Sequence, residues 1–250
     1  MTKKIIVLGG SSGIGKATAQ RFAKEGWQVL VAAHSLSECL ATVDELEGED
    51  NIACQVDVRK DDDLVKLQQL VEENFQNFDS LVNTIGLSQS HPAINSDFAA
   101  WDNSLQVMLY GSVKACRLLV PLIKEGGRII HVTSIHYERV ANGSSAYGMA
   151  KAAITQFTRS LALELAPRNI LANTIAPGFV DTPMSVKADG KNEVDTDWFK
   201  DNYIKYDHLA LRRVARPEEI AGVAWFLSGP DASYMTGSVV TVDGGLTITF

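Results

Sequence analysis

Short apolar, β-branched runs alternate with helix-patterned stretches from one end of this chain to the other, and that alternation restricts the fold more than any other feature. Strand-like runs fall at Lys3–Leu8, Val29–Ala33, Ile52–Val58, Ser80–Ile85, Ile129–Val132, Ile170–Ile175 and Ser238–Val242. Between them lie helical patterns at 14–24, 37–46, 61–75, 99–119, 145–165 and 217–227. Runs that are apolar throughout suit strands covered on both faces, and crossover helices between them make those strands parallel and right-handed in connection. The expectation is α/β: one Rossmann-type doubly wound parallel sheet of about seven strands with helices on both faces. A single domain over 1–250 accommodates it, with no repeat or interdomain linker.

Ligands of such sheets bind where the strands end at their carboxyl side. Four glycines crowd seven residues there, in Gly9-Gly10-Ser11-Ser12-Gly13-Ile14-Gly15, which argues against an ordinary tight turn. A strand, a glycine turn and a helix N-terminus present free backbone N–H groups to an anion, and the glycines let a pyrophosphate approach. Asp57, Asn83, Ser134 and Pro177 also fall at strand ends.

Tyr147 and Lys151 are four residues apart on one helix and therefore share a face. A phenol titrates near 10 in water, too high for ready proton exchange at neutral pH. An ammonium about 4–5 Å away, at an effective dielectric near 20, favours the phenolate by about 3–4 kcal/mol, which brings the phenol toward neutrality. Ser134, just past a strand end, is placed to hold the same substrate oxygen. Tyr-x-x-x-Lys by itself occurs in many helices; its weight here comes from its neighbours.

Composition removes several function classes. The net charge of −7, without a Lys/Arg cluster, argues against a nucleic-acid or anionic-membrane surface. No uninterrupted apolar run approaches a membrane span of about 18 residues. Cys39, Cys54 and Cys116 are widely spaced and odd in number, which suits a reducing, cytoplasmic setting. The five histidines and three cysteines show no metal spacing, so no metal is expected.

Taken together, the residues resemble the short-chain dehydrogenase/reductase family over essentially the whole chain, and its 3-oxoacyl-thioester reductases in particular. The family's glycine turn matches at Gly9, Gly13 and Gly15, and its N-N-A-G is echoed by Asn83 and Gly86. Its serine stands thirteen residues before the tyrosine, as Ser134 does before Tyr147; Pro177-Gly178 with Thr182, and Val242-Asp243-Gly244-Gly245, follow in family order. The resemblance implies hydride transfer between NAD(P)(H) and a carbonyl or secondary alcohol, with Ser134, Tyr147 and Lys151 catalytic. It implies a cofactor site of Gly9, Ser11, Ser12, Gly13, Ile14, Gly15, His34, Ser35, Asp57, Val58, Asn83, Gly86, Pro177, Gly178, Val180 and Thr182, with Tyr147 and Lys151. In that scheme Asp57 and Val58 flank adenine, Asn83 lies by the adjoining ribose, and Lys151 also binds the nicotinamide ribose.

Three departures stand out. Leu8 replaces the Thr before the first glycine, and Thr84-Ile85 replaces Asn-Ala. Met108 stands where the family often has an Asn that supports a water chain from the lysine, and a thioether holds water poorly. A different proton route or slow turnover is expected.

NAD-preferring relatives carry an acid at the end of the second strand; here Ala32-Ala33-His34-Ser35 has none. Neutral His34, Ser35, Ser11 and Ser12 accept a 2′-phosphate without repulsion, which favours NADP over NAD. The 184–210 stretch occupies the family's variable substrate lid. Trp198 and Phe199 in it, with His136 and Tyr137 behind Ser134, are candidate substrate contacts, and Asp189 is expected in a solvated turn. Small residues Gly148, Ala150, Ala152 and Ala153 on the tyrosine helix, and the C-terminal Leu246, Ile248 and Phe250, point to a homodimer or homotetramer. A sugar, polyol or cyclic-alcohol dehydrogenase is the alternative substrate class, and a dinucleotide-binding regulator without turnover is the alternative of another kind.

Overall fold

The computed structural model describes every residue except 1, 88, 187–189 and 250. Asp189 and Phe250 therefore lie outside the described residues. Seven strands form one sheet: β1 (Lys4–Leu8), β2 (Gln28–Ala33), β3 (Ile52–Gln55), β4 (Phe78–Asn83), β5 (Ile123–Val132), β6 (Leu171–Pro177) and β7 (Val239–Val242). Their spatial order is β3-β2-β1-β4-β5-β6-β7, and every pairing is parallel. The order reverses between β1 and β4, the crevice where such sheets receive ligands.

Alternate residues of β1 show how the two faces are covered. Ile6 and Leu8 enter one buried cluster with Leu64, Leu67 and Leu119 from α3 (Asp61–Asn74) and α5 (Gly111–Leu119). Ile5 and Val7 face the other way, into Phe22, Ile220 and Leu227 from α1 (Gly13–Lys24) and α8 (Pro217–Ser228). With both faces covered, the strands carry no polar side, which is why they read as unbroken apolar runs. The remaining helices are α2 (Leu36–Asp44), α4 (Phe98–Leu105), α6 (Ser145–Leu165) and a short α7 (Asp197–Phe199).

Three elements differ from the sequence pattern. The stretch expected as one helix over 99–119 is α4 and α5 joined by a π turn at Gln106–Tyr110. Gly111 there passes so close to Val58 that a Cβ would stand 2.5 Å from its Cγ2. Over Phe98–Leu122 this helical unit is long and apolar enough to cross a membrane by length and composition; Met108, Ala115, Cys116 and Leu119 of it are buried in the core. Second, β5 starts at Ile123, because Gly126 takes φ +78° and carries the strand through a register shift against β4. Third, β3 ends at Gln55 where its pairing to β2 ends. The lid stretch is held by rings: Phe199 is buried, with centroids 4.9 Å from Phe179 and 5.0 Å from Tyr203.

One buried polar chain crosses the core behind the strand ends. Thr158 Oγ1 donates to Ile154 O at 2.7 Å, so it accepts from His131 Nδ1–H at 2.9 Å. His131 Nε2 is then left to accept from the Cys116 thiol at 3.4 Å. Burial, with the nearby Lys151 charge, pushes the imidazole down to about 4. The unfolded chain takes up this proton near 6.5. Stability from the neutral imidazole is thus complete above about 6.5 and is lost as pH falls toward about 4, by up to about 3 kcal/mol. Urea denaturation midpoints across that window should fall accordingly, and a His131→Gln variant, less stable at neutral pH, should lose this part of the slope.

Candidate functional site

The glycine turn connects β1 to α1 at the point where strand order reverses. Gly9 has φ +78° and donates its N–H to Ala32 O at 2.8 Å. Gly15 has no room for a side chain: a Cβ would lie 2.1 Å from Gly9 O and 2.6 Å from Thr84 Oγ1. Thr84 in turn donates to Leu8 O at 2.8 Å, tying the end of β4 to the end of β1. The departure at Thr84 is thereby a structural brace. Ser12 precedes α1 without a side-chain cap, and no acid stands in the first turn. The leading N–H groups of α1 are left for an external anion.

This turn forms one wall of a cavity of about 450 Å³, within the size range of small-molecule sites. Gly9, Ser11, Ser12, Gly13, Ile14, Gly15, His34, Asp57, Val58, Gly86 and Thr182 all line it. Five expected residues sit behind it or beside it. Asn83 is buried and its Oδ1 accepts from Ile85 N at 3.0 Å, shaping the loop that follows β4. Ser35 caps α2, accepting from Glu38 N at 3.4 Å. Pro177 ends β6, and Gly178 donates to Val242 O at 3.0 Å, with space for no more than hydrogen beside Asp243. Val180 pairs its backbone with Ala215. Together these hold Thr182 at the cavity wall.

Sequence reading missed Thr84, Arg59, Asn103, Gln89 and Met184 as lining residues. Arg59 carries the one local signal that was available, its i+2 spacing from Asp57. Its Nε donates to Asp57 Oδ1 at 2.9 Å and its Nη2 to Oδ2 at 2.7 Å, while Nη1 reaches Asn103 Oδ1 at 3.0 Å. That side-on fork holds the Asp57 carboxyl down at about 2.

A second group of residues stands at the end of β5. Ser134 follows the strand and its Oγ accepts from His136 N at 3.2 Å; the Ser134 hydroxyl stands near enough to the Tyr147 hydroxyl to favour its ionised form. Lys151, one turn along α6, lies 5.6 Å from the Tyr147 ring centroid. Its ammonium donates to Ile85 O and Val132 O, each at 3.1 Å. It comes within 3.8 Å of where a Cβ on Gly86 would stand, so the trio adjoins the cavity.

The electrostatics differ from the sequence expectation. Burial raises the Tyr147 phenol above its ordinary value, and the Ser134 hydroxyl offsets this only in part. Lys151, buried with no carboxylate beside it among the described residues, is pushed down to about 8. In this arrangement the ammonium spends its protons on carbonyls, and desolvation of the phenol wins over its attraction. Tyr147 therefore holds its proton at neutral pH. Met108 is buried beneath this group, packed with Leu105, Ala150, Leu87 and Tyr147.

The four candidate substrate residues separate. His136 meets Tyr147 edge-on, centroids 5.7 Å apart, and its Nδ1 is buried with no partner among the described residues. Tyr137 is not among the residues lining the cavity, and burial with the neighbouring Glu138 raises its phenol. Phe199 is packed inside the aromatic cluster, and Trp198, half-exposed, stands edge-on to Tyr203 at 5.8 Å. Phe199 thus builds the lid and leaves the cleft wall to others.

Comparison with known proteins agrees with this geometry. Residues 9–247 match a family model described as enoyl-(acyl carrier protein) reductase. Carbonyl reductase family member 4 of Xenopus laevis is 32% identical over 98% of each chain. The 3-oxoacyl-(acyl-carrier-protein) reductase FabG of Thermotoga maritima is 33% identical, again over 98% of each. Among solved structures, a dehydrogenase/reductase from Sinorhizobium meliloti 1021 superposes with a TM-score of 0.89 at 32% identity, covering 98% of this chain and 96% of that one. The ligand-free aldohexose dehydrogenase of Thermoplasma acidophilum gives 0.85 at 26% identity, covering 100% and 95%.

The steric limit at Gly15 yields a direct test. Gly15→Ala pushes the turn off Gly9 and Thr84, so dinucleotide affinity measured by calorimetry should fall at least about tenfold while the far-ultraviolet dichroism stays that of an α/β protein.

Proposed function

Since this chain belongs to the short-chain dehydrogenase/reductase family and is an oxidoreductase, we propose that it transfers a hydride between NADP(H) and a carbonyl or secondary alcohol, acting chiefly as a reductase of 3-oxoacyl thioesters or related ketones. The observation that carries the reading is the gathering of Ser134, Tyr147 and the buried Lys151 ammonium, which donates to Ile85 O and Val132 O, beside the switch-point cavity.

The cavity suits a dinucleotide: it has a glycine cradle that a Cβ would fill and an α1 N-terminus left uncapped. Residues Gly9 to Gly15 would hold the pyrophosphate, Asp57 and Val58 the adenine, and Gly86 and Thr182 the nicotinamide end; Asn83 acts from behind by placing Ile85. Bound there, the nicotinamide supplies or accepts the hydride. Tyr147 is the proton donor to the carbonyl oxygen, and because burial keeps the phenol protonated it is poised for reduction. Ser134 is the second donor to that oxygen. As Tyr147 gives up its proton, the Lys151 charge, 5.6 Å from its ring centroid, favours the phenolate. Met108 packs an apolar surface against Tyr147, so the phenol is reprotonated from the cleft, a route that limits turnover.

For the 2′ position, Ser11, Ser12 and His34 on the cavity wall give a phosphate hydroxyl and imidazole neighbours. Glu38 works against this, since its carboxylate accepts from Ser11 Oγ at 3.2 Å, and so holds the preference for NADP to a modest one. The second reading, a sugar or polyol dehydrogenase, is favoured by His136, a polar ring against Tyr147, and by the likeness to the aldohexose dehydrogenase. An assembly of two or four copies is supported by the exposed Met149 and Leu163 on α6. The three unpaired, buried thiols are in keeping with a reducing cytoplasm.

A panel of 3-oxoacyl thioesters, simple ketones and aldoses with both cofactors tests the assignment. Tyr147→Phe should lower kcat/KM about 10²–10⁴-fold with cofactor affinity unchanged. Reduction should decline as pH rises through about 8, where Lys151 loses its charge. Glu38→Gln should raise the NADP-to-NAD efficiency ratio several-fold. Tight cofactor binding with no turnover of any carbonyl would instead identify a dinucleotide-sensing regulator.

A further inference from the structure

A second cavity, of about 250 Å³, opens at the opposite, amino-terminal end of the strands, between the start of β5 and the end of α8. Lys3, Trp27, Asp79, Arg128 and Ser228 line it, and it shares no residue with the dinucleotide cavity. We propose that it is a binding site for a small oxyanion, a carboxylate or a phosphate group, held by Arg128 and Lys3.

The guanidinium of Arg128 carries the argument. Its Nη1 is taken by the carbonyls of Gly126 and Gly127. Its Nε is buried and has no hydrogen-bond partner among the described residues. The edge formed by Nε and Nη2, the edge that grips a carboxylate or phosphate with two parallel bonds, is therefore unused. No carboxylate pairs with Arg128 among the described residues, and burial accordingly pulls its pKa down.

The one acid in the wall is already engaged. Asp79 is paired with Lys124 at 2.9 Å and accepts from Lys4 N at 2.8 Å. Lys3 lies with its ammonium 5.1 Å over the Trp27 ring and has no ion pair among the described residues. Ser228, hydrogen-bonded to Ser80 Oγ at 3.1 Å, adds a hydroxyl. Two cations with no ion pair of their own among the described residues, beside one carboxylate already paired with Lys124, thus face one small cavity, in a chain whose net charge is −7. A half-buried, unpaired guanidinium is costly, and a bound oxyanion offsets that cost while filling the free edge.

The test reads the site itself and does not depend on enzyme activity. Inorganic phosphate and acetate are titrated, at constant ionic strength, into the full-length protein while the indole N–H resonance of Trp27, assigned with Trp27→Phe, is followed by NMR. A saturable shift is expected with at least one of the two anions, and which one acts tells a phosphate ligand from a carboxylate. Lys3→Met, an exposed change, and Arg128→Lys, which keeps the charge but loses the fork, should each weaken the midpoint at least about tenfold; Lys60→Met, exposed at the opposite, carboxyl end of the sheet, should not. No saturable shift with either anion, or an unaltered midpoint in both Lys3→Met and Arg128→Lys, overturns the proposal.

Discussion

The two hydrogen bonds from Lys151 to Ile85 O and Val132 O join α6 to the carboxyl ends of β4 and β5, and the site is built around them. A lysine brought into the interior costs several kcal/mol unless its protons find acceptors. Here backbone carbonyls at two adjacent strand ends, which the sheet leaves unpaired, are those acceptors. The same contact fixes the loop after β4 against the cavity and sets Tyr147, one turn earlier, beside Ser134. Its consequence is chemical: burial depresses the lysine to about 8 and raises the phenol, so a protonated acid stands next to a cation near neutrality.

Around that ammonium the core is kept free of competing charge. His131, which the Lys151 charge helps hold neutral, is spent on Thr158 and Cys116. Met108 packs an apolar surface against Tyr147. On the cavity wall the charge of Asp57 is matched by that of Arg59. The cavity therefore offers a ligand backbone N–H groups, shape and hydroxyls more than fixed charge.

Much of this was legible residue by residue. The glycine turn, the strand-end positions of Asp57 and Ser134, and the Tyr147–Lys151 spacing are local patterns, and each local pattern has a local geometric meaning. Three things were not legible. Thr84 looked like a mere departure, yet its hydroxyl braces β1 against β4 across 76 positions of sequence. Phe199 and Tyr137 read as pocket aromatics, but whether a ring faces a cleft depends on partners such as Phe179 that spacing does not reveal. The sign of the Tyr147 shift was also hidden, because a charge's effect at a helical turn is set by how dry the site is and where its protons go.

By itself, the order of apolar runs and glycines determined the layered parallel sheet and where along the chain a ligand would be met, since burial on both faces and the lack of a Cβ are properties of single residues. Only the folded chain decided which way each side chain turned, which carbonyls took the protons of Lys151, and which charges were cancelled. Those outcomes depend on distances between residues far apart in sequence and on exclusion of water, and neither quantity exists until the strands and helices have packed.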